Sequence, residues 1–435
     1  MVIILGISLF VFHAFPSPKC PQSAVLGLQG VGGAVFLLGG ILAENFYPSS
    51  TWNAGVELST IGLTAQLCLL SLITPVLYLA LSSQKTGLLA LAAIFCAIAL
   101  GGIGVIVAQD FTLSVSYLEL QSYATYLAIS NKIGDTEQHH GFLSYFVVSG
   151  LATTGLIIGW AIADLEGGIL IESRNLGECL SPYILTPSFI LKLGVYPFYA
   201  WVPLVYNTTG LLPLLTVAVL PQLGILSLLN NTAHWPTSGL AGVAGASVVA
   251  GSVCAAVTVK PHGFIALSGI SQLGFTLLGL NTTFLGATLF NLFYGLTLVS
   301  FIGIIRTSKL GNELLSDWRG FTSTHLALGL TASLLMASLG GIPPFAGFYT
   351  KAELLNHWVT QSAGFSSVWI LVASLPGAIG YLRVALANVG TGTPTIQSFS
   401  ISPPMCKEGI VISSAAALGF AGLNYETAIL VAEGC

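Results

Sequence analysis

The chain has 435 residues, of which 54% are hydrophobic and only 6% are charged, and its mean hydropathy is +0.88. Soluble domains carry about 25% charged residues, so a surface this poor in charge cannot face water. The net charge of −4 and the small total of 12 lysines and arginines argue against a nucleic-acid partner. The composition therefore indicates a polytopic membrane protein.

The seven cysteines are scattered, with no CxxC motif and no histidine at metal-ligand spacing. This pattern argues against a metal site, an iron–sulfur cluster or a disulfide framework. The sequence also lacks a glycine-rich phosphate-binding loop. Nothing in it therefore predicts a redox cofactor bound by this chain.

A hydropathy pass, divided at prolines, glycines and charge clusters, predicts an all-α protein with about fourteen membrane spans. Their approximate limits are residues 1–15, 24–43, 57–82, 86–108, 110–130, 141–163, 183–205, 210–230, 238–258, 262–280, 282–306, 324–358, 364–389 and 409–430. Most have about 20 residues, the length that a hydrocarbon core of about 30 Å requires of a helix. The first span has no basic leader before it, and we expect it to remain on the protein.

Basic residues fall almost entirely on one side of the predicted membrane. The loops after odd-numbered spans contain eight of them, namely Lys19, Lys85, Lys132, Lys260, Arg306, Lys309, Arg319 and Lys407. The even-numbered loops and both termini contain only Arg174. By the positive-inside rule, the odd loops face the cytoplasm, or the matrix in a mitochondrion, and both termini face the opposite side.

Five ionisable residues remain inside predicted spans: Glu119, Lys192, Lys351, Glu353 and Arg383. A charge at membrane depth costs several kcal/mol, so such residues are functional candidates. The last three lie near span ends, where a side chain can reach the headgroups or solvent. Glu119 and Lys192 lie in the middle of spans. For these two, the alternative to a functional role is a static ion pair that fixes helix packing.

Prolines interrupt the seventh span, LKLGVYPFYAWVPLVY, at residues 191–206. Pro197 cannot donate to the carbonyl of Leu193, and Pro203 removes a second bond, so we expect the helix to open just after Lys192. Carbonyls freed inside a membrane need protein or water in a cavity. Burial favours a neutral amine and a nearby carboxylate favours the ammonium ion, so we interpret this lysine as a proton site. A kink that only shapes packing would explain the prolines but not the lysine.

The twelfth span contains SLLMASLGGIPPFAGFYTKAELL and is likewise interrupted by prolines near a lysine. Its two prolines free the carbonyls of Leu339 and Gly340, and Lys351 follows in the far half. The seventh and twelfth spans are five apart, so the repeat unit has an odd number of spans and its two copies are inverted. Paired, interrupted spans of this kind point to the transport site of an inverted-repeat transporter.

The residues therefore predict a cation- or proton-translocating protein with two inverted five-helix repeats, each containing a broken helix. The first repeat, spans 4–8, covers residues 84–232, and the second, spans 9–13, covers 233–390. Spans 1–3 form an N-terminal unit, residues 1–83. Residues 391–435 form a loop and the fourteenth helix.

Four motifs resemble those of the antiporter-like membrane subunits of proton-pumping NADH:quinone oxidoreductase, respiratory complex I. They are KLGxxPFxxWVPxVY at 192–206, LEL at 118–120, LSGISQLGF at 267–275 and SLGGIPPFxGFxxK at 338–351. The match runs in family order over about residues 57–390 and is most similar to the subunit 2 type, called subunit N in bacteria. The resemblance implies proton translocation coupled to electron transfer from NADH to ubiquinone.

The resemblance also implies the cofactors and partners. FMN, iron–sulfur clusters and ubiquinone are expected in partner subunits, so the chain would be a membrane subunit of the enzyme with no redox centre of its own. The expected partners are the other membrane-arm subunits of complex I and the lipid bilayer.

Residue roles follow from the resemblance at matching motif positions. Glu119 matches a glutamate that pairs with a lysine and tunes its proton affinity, Lys192 matches the lysine of the broken seventh helix, and Lys351 matches the twelfth-helix lysine of the proton exit. The family usually has a lysine in the eighth helix and often a histidine in the tenth, where this chain has Gln222 and Gln272. Glutamine can support a water chain but cannot take up a proton, so these two residues would form a hydrated relay.

Two other functions stay open. A stand-alone Na⁺/H⁺ antiporter subunit shares these motifs, and a structural membrane-arm subunit that does not pump is favoured by Gln222. Sparse charge, short loops and the absence of a transit peptide are typical of an organelle-encoded protein of the inner mitochondrial membrane. Both termini would then face the intermembrane space. Relatives in bacterial plasma membranes and thylakoids share the motifs.

Overall fold

The computed structural model describes residues 88–390, except for residues 109, 131–135, 166–179, 232–236, 281–282, 308–314, 325, 344 and 362–363. In this part of the chain, regular structure is helical and there is no β-strand. The predicted spans 1–3 and 14, and with them the units 1–83 and 391–435, lie outside the described residues.

The described residues form thirteen α-helices and one short 3₁₀ helix, Leu315–Trp318. The α-helices are α1 (Leu88–Val107), α2 (Phe111–Ile129), α3 (Thr136–Leu165), α4 (Ser181–Leu193), α5 (Trp201–Thr208), α6 (Leu211–Asn231), α7 (Thr237–Val257), α8 (Pro261–Leu280), α9 (Phe284–Thr307), α10 (Phe321–Thr324), α11 (Leu326–Gly340), α12 (Ala346–Gln361) and α13 (Gly364–Val389). Apart from the short α10, they correspond to predicted spans 4–13, with boundaries that agree to within a few residues. The seventh span is divided into α4 and α5, and the twelfth into α11 and α12.

Three central helices, α6, α8 and α9, are buried almost all round. The peripheral helices α3, α7 and α13 keep large apolar residues on their outer faces, such as Leu151, Val253 and Ile379. Among the described residues, six helices are long and apolar enough to cross a membrane, namely these three central and three peripheral helices. An apolar exterior around a buried centre is the arrangement of a multi-pass membrane protein.

The first broken helix opens at Gly194, whose φ of 70° lies in the left-handed region that favours glycine. The N–H of Val195 donates to the Ile190 carbonyl at 3.3 Å, which closes α4 with a Schellman-type cap. Three residues later, the Phe198 N–H donates back to the Val195 carbonyl at 2.9 Å. The predicted opening just after Lys192 is therefore present.

The second broken helix opens in the same way. Gly341 has a φ of 77° and follows the end of α11. The Ile342 N–H donates to the Ala337 carbonyl at 3.1 Å, and the Phe345 N–H donates to the Ile342 carbonyl at 3.2 Å. Both breaks thus combine a left-handed glycine, a cap and a turn that ends at a phenylalanine.

Close backbone packing joins α7 to α8. A Cβ added to Gly251 would lie 2.5 Å from the amide nitrogen of Ser271 and 2.8 Å from the carbonyl oxygen of Leu267. On the same pair of helices, a Cβ on Gly274 would lie 2.8 Å from the Ala244 carbonyl oxygen. Such contacts are with backbone atoms that cannot move independently, so glycine is required at these positions.

We predict that Gly251→Ala destabilises the protein by about 1–3 kcal/mol, the usual cost of overpacking. The matched control is Gly242→Ala on the same helix, because a Cβ there would meet no atom within 4 Å. Thermal unfolding in detergent should show a lower melting temperature for the first variant only. Equal melting temperatures for the two variants would contradict the packing described for α7 and α8.

Candidate functional site

Lys192 and Glu119 form an ion pair between α4 and α2. The distance from Lys192 Nζ to Glu119 Oε1 is 3.9 Å, and the two side chains are 4% and 25% exposed. This distance is too long for a hydrogen bond. Among the described residues, neither of these two atoms has a hydrogen-bond partner. The pair is therefore held by charge and packing rather than by a direct hydrogen bond.

The position of Lys192 on its helix suits an ammonium ion. The residue lies in the last turn of α4, where unpaired carbonyls make the helix end negative. The missing N–H of Pro197 leaves a further carbonyl, that of Leu193, without its helical donor. The helix break thus gives the buried lysine a polar environment within an apolar bundle.

A cavity of about 30 Å³ adjoins Lys192, which is room for about two water molecules. Its polar lining includes Ser122, Tyr145, Tyr206 and Gln222. Gln222 is 7% exposed, and its Oε1 has no partner among the described residues. A buried amide oxygen of this kind is usually satisfied by ordered water, so the cavity is suited to hydration.

Helix α6 adds a backbone acceptor near the same cavity. Pro221 lies inside the helix and has no N–H for the carbonyl of Val217. Both residues line the cavity. The cavity is therefore bordered by a lysine, an amide, two phenols and the backbone around a proline, although its apolar surroundings are those of a membrane core.

The second site lies at the other helix break. Lys351 Nζ donates to the Leu339 carbonyl at 2.8 Å and lies 5.4 Å from the centroid of the Phe275 ring. Pro343 is four residues after Leu339 and cannot supply the helical donor for this carbonyl. The lysine thus replaces the backbone hydrogen bond that the proline removes, and the aromatic face adds a favourable cation–π contact.

Gln272 on α8 is bound into this second site. Its Nε2 donates to the same Leu339 carbonyl and to the Tyr381 hydroxyl, both at 3.4 Å. A cavity of about 10 Å³ is lined by Gln272, Tyr294, Thr350 and Lys351, among others. This volume is room for about one water molecule.

The structure therefore brings the five predicted site residues into two groups. Glu119, Lys192 and Gln222 are grouped around the first break, and Gln272 and Lys351 around the second. The other two ionisable residues predicted inside spans lie in neither group. The Arg383 side chain is exposed and donates to two carbonyls at the end of α7, and Glu353 lies 3.9 Å from His357.

Several uncharged polar residues near the two sites, apart from Gln222 and Gln272, were not predicted from the sequence. Tyr145, Tyr206 and Tyr294 line the two cavities. Gln121 and Asn291 are 1% and 0% exposed, and within the described part of the chain neither amide has any hydrogen-bond partner. Since an unsatisfied buried polar group costs about 1–3 kcal/mol, both positions are suited to ordered water. Amides in the middle of apolar spans were the available signal.

Over the described residues, no group of three or more His, Cys, Asp or Glu side chains is placed to bind a metal ion. The two sites instead contain amines, a carboxylate, amides and phenols. Amines and carboxylates exchange protons, whereas amides and hydroxyls donate and accept hydrogen bonds. The chemistry available at these sites is proton exchange and water binding.

Comparison with known proteins gives a consistent family. The sequence model described as "NADH:quinone oxidoreductase/Mrp antiporter, TM" matches residues 108–377, more than half of the chain. NADH-quinone oxidoreductase subunit N of Hydrogenovibrio crunogenus is 27% identical over 293 residues, 61% of each chain. NADH-ubiquinone oxidoreductase chain 2 of Metridium senile is 25% identical over 309 residues, 66% of this chain and 80% of that relative. The match thus spans less than two thirds of the bacterial relative.

Solved structures share the fold. A chain of respiratory complex I from Thermus thermophilus superposes with a TM-score of 0.79 at 22% identity, covering 98% of both chains. A chain of the Mrp complex from Dietzia superposes with a TM-score of 0.76 at 15% identity, covering 97% of this chain and 90% of the other. At these identities the similarity concerns the fold.

We predict that Glu119 and Lys192 are energetically coupled. In a double-mutant cycle of Glu119→Gln and Lys192→Met, the coupling free energy should be about 0.5–3 kcal/mol, as for residues in contact. Thermal unfolding of the four proteins in detergent measures it. The control cycle combines Lys192→Met with Glu353→Gln, because the Glu353 carboxylate pairs with His357 and not with Lys192. In this cycle the two changes in unfolding free energy should add to within about 0.5 kcal/mol. Additivity in both cycles would show that the pair contributes nothing.

Proposed function

Since the chain belongs to the NADH:quinone oxidoreductase/Mrp antiporter transmembrane family, we propose that it is a membrane-arm subunit of a proton-pumping NADH:quinone oxidoreductase that takes part in proton translocation. The observation that carries this proposal is the buried Lys192–Glu119 pair beside a helix break, with a second lysine bound at the other break. The names of the relatives from Hydrogenovibrio and Metridium support the choice of enzyme.

In the proposed mechanism, Lys192 takes up a proton and Glu119 controls how firmly it is retained. An ammonium ion is stabilised by a nearby carboxylate and destabilised by burial. Because the two groups are 3.9 Å apart without a direct hydrogen bond, a small movement of the glutamate changes the balance. When the carboxylate moves away, the proton leaves for the adjoining cavity.

The path then runs from the first cavity to Lys351. Gln222 borders the first cavity and Gln272 the second, and both amides can orient water without carrying charge. Lys351 receives the proton while bound to the Leu339 carbonyl. From there the proton leaves toward the positive side of the membrane.

We also propose the complete architecture of fourteen helices with inverted five-helix repeats at residues 84–232 and 233–390. Two features support it: the matching hydrogen bonds at the two breaks, and the recurrence of helix neighbours. Helix α1 packs against α2 and α6, and in the second half α7 packs against α8 and α13. Helix α4 contacts α3 and α6 in the first half. Its counterpart in the second half, α11, contacts the corresponding helices α9 and α13.

The remaining features of the proposed subunit concern its assembly. No redox cofactor would bind to this chain, and FMN, iron–sulfur clusters and ubiquinone would bind to partner subunits. The partners would be other membrane-arm subunits, and energy from quinone reduction would reach the lysines through changes in hydration and charge pairing. The proposed location is the mitochondrial inner membrane with both termini in the intermembrane space, although bacterial relatives are frequent among the matches.

A stand-alone Na⁺/H⁺ antiporter subunit is the second candidate. The family description includes Mrp antiporters, and the Dietzia Mrp chain covers nearly the whole length of this protein at a TM-score of 0.76. Sodium-dependent proton exchange in vesicles containing this chain, without NADH oxidation, would support this candidate over the first.

We predict that Lys192→Ala lowers the number of protons moved per NADH oxidised and leaves assembly intact. Loss of a proton-transfer group typically slows transfer by about 100-fold or more, so the path through this subunit should be closed. Proton uptake and NADH oxidation are measured together in sealed vesicles. The matched control is Lys260→Ala, which removes an exposed lysine just before α8. A normal proton-to-electron ratio in Lys192→Ala would refute proton translocation through this site.

A further inference from the structure

The proposed path has a gap between the two lysines. Gln222 and Gln272 occupy the positions between them, and an amide cannot take up a proton. The two cavities have no lining residue in common. A side chain that can both donate and accept a proton is needed where the cavities approach each other.

Tyr294 on α9 lies at that place. It lines the second cavity, together with Gln272 and Lys351. Its hydroxyl oxygen would lie only 2.8 Å from a Cβ built on Gly269, and Gly269 lines the first cavity, together with Lys192. The residue is 6% exposed, so its hydroxyl lies within the bundle rather than at a membrane surface.

Two further buried phenols lie at the two lysine sites. Tyr206 lines the first cavity, and the Tyr381 hydroxyl accepts a hydrogen bond from Gln272 at 3.4 Å. Buried phenols are therefore present at both lysine sites.

We infer that Tyr294 relays protons between the cavity beside Lys192 and the cavity beside Lys351, in place of the protonable group that Gln222 does not provide. The inference rests on the proposed proton translocation through this chain. Gly269 is needed for this relay, because the absence of a side chain there lets the Tyr294 hydroxyl lie close to the first cavity.

The proton balance of this step is simple. A proton released by the Lys192 ammonium group reaches the Tyr294 oxygen through water in the first cavity. The O–H bond already present breaks on the other side, and that proton passes through water or the Tyr381 hydroxyl to the neutral amine of Lys351. The phenol ends with one proton, as it began, and rotation of its O–H bond restores the starting orientation.

The direct test is Tyr294→Phe in the assembled complex, because it removes only the hydroxyl group. The protons moved per NADH oxidised should fall to the level of Lys192→Ala, whereas the variant subunit should still assemble into the complex. The matched control is Tyr183→Phe on α4, where the side chain is 64% exposed. An unchanged proton-to-electron ratio in Tyr294→Phe would overturn the inference.

Two further variants separate a relay from a packing role. Gly269→Ala keeps every hydroxyl but displaces that of Tyr294, so its proton-to-electron ratio should fall between those of the unaltered protein and Tyr294→Phe. Gln222→Lys places a protonable amine in the first cavity, and combined with Tyr294→Phe it should restore the ratio at least in part. A normal ratio in Gly269→Ala together with no restoration in the double variant would show that the tyrosine does not relay protons.

The outcomes distinguish this inference from the function on which it rests. A loss of translocation in Lys192→Ala with a normal ratio in Tyr294→Phe contradicts only the tyrosine relay. Normal ratios in both variants contradict proton translocation through this chain. Losses in both, with restoration by Gln222→Lys, support the relay and the function together.

Discussion

Lys351 Nζ donates to the Leu339 carbonyl at 2.8 Å and so provides a donor that the helix break would otherwise remove. Inside a membrane every backbone carbonyl needs a donor, and Pro343 removes the one that a continuous helix would provide. A lysine supplies it here, and Gln272 donates to the same oxygen. Lys351 and Gln272 together therefore satisfy the one carbonyl that the helix break leaves without a backbone donor.

The lysine at the first break is held differently. Lys192 precedes the break, lies in the last turn of α4, and is paired with Glu119 at 3.9 Å without a hydrogen bond. One lysine is thus bound to rigid backbone and the other to a side chain that can move. Glu119 is also the more exposed partner of its pair.

The helices and breaks between residues 88 and 390 could be predicted from sequence because their causes are local. Hydropathy marks each apolar span, and a proline removes a known hydrogen bond wherever it occurs. The contact between Glu119 and Lys192 was also accessible, since two opposite charges within apolar spans need each other. The position of Tyr294 was not, because tyrosine is common in membrane helices and its proximity to Gly269 depends on how α8 and α9 pack. The cavities likewise arise only from tertiary packing, which also decides that the mid-span amides of Gln121 and Asn291 stay without a partner among the described residues.

The function proposed for this chain requires that it works within an NADH:quinone oxidoreductase. The most direct test is to solubilise the source membrane in a mild detergent, separate it on a native gel stained for NADH dehydrogenase activity, and locate this chain by mass spectrometry. We expect the chain to comigrate with a large, NADH-active assembly. Its presence only in a small assembly without NADH activity would contradict membership of this enzyme and favour a stand-alone antiporter.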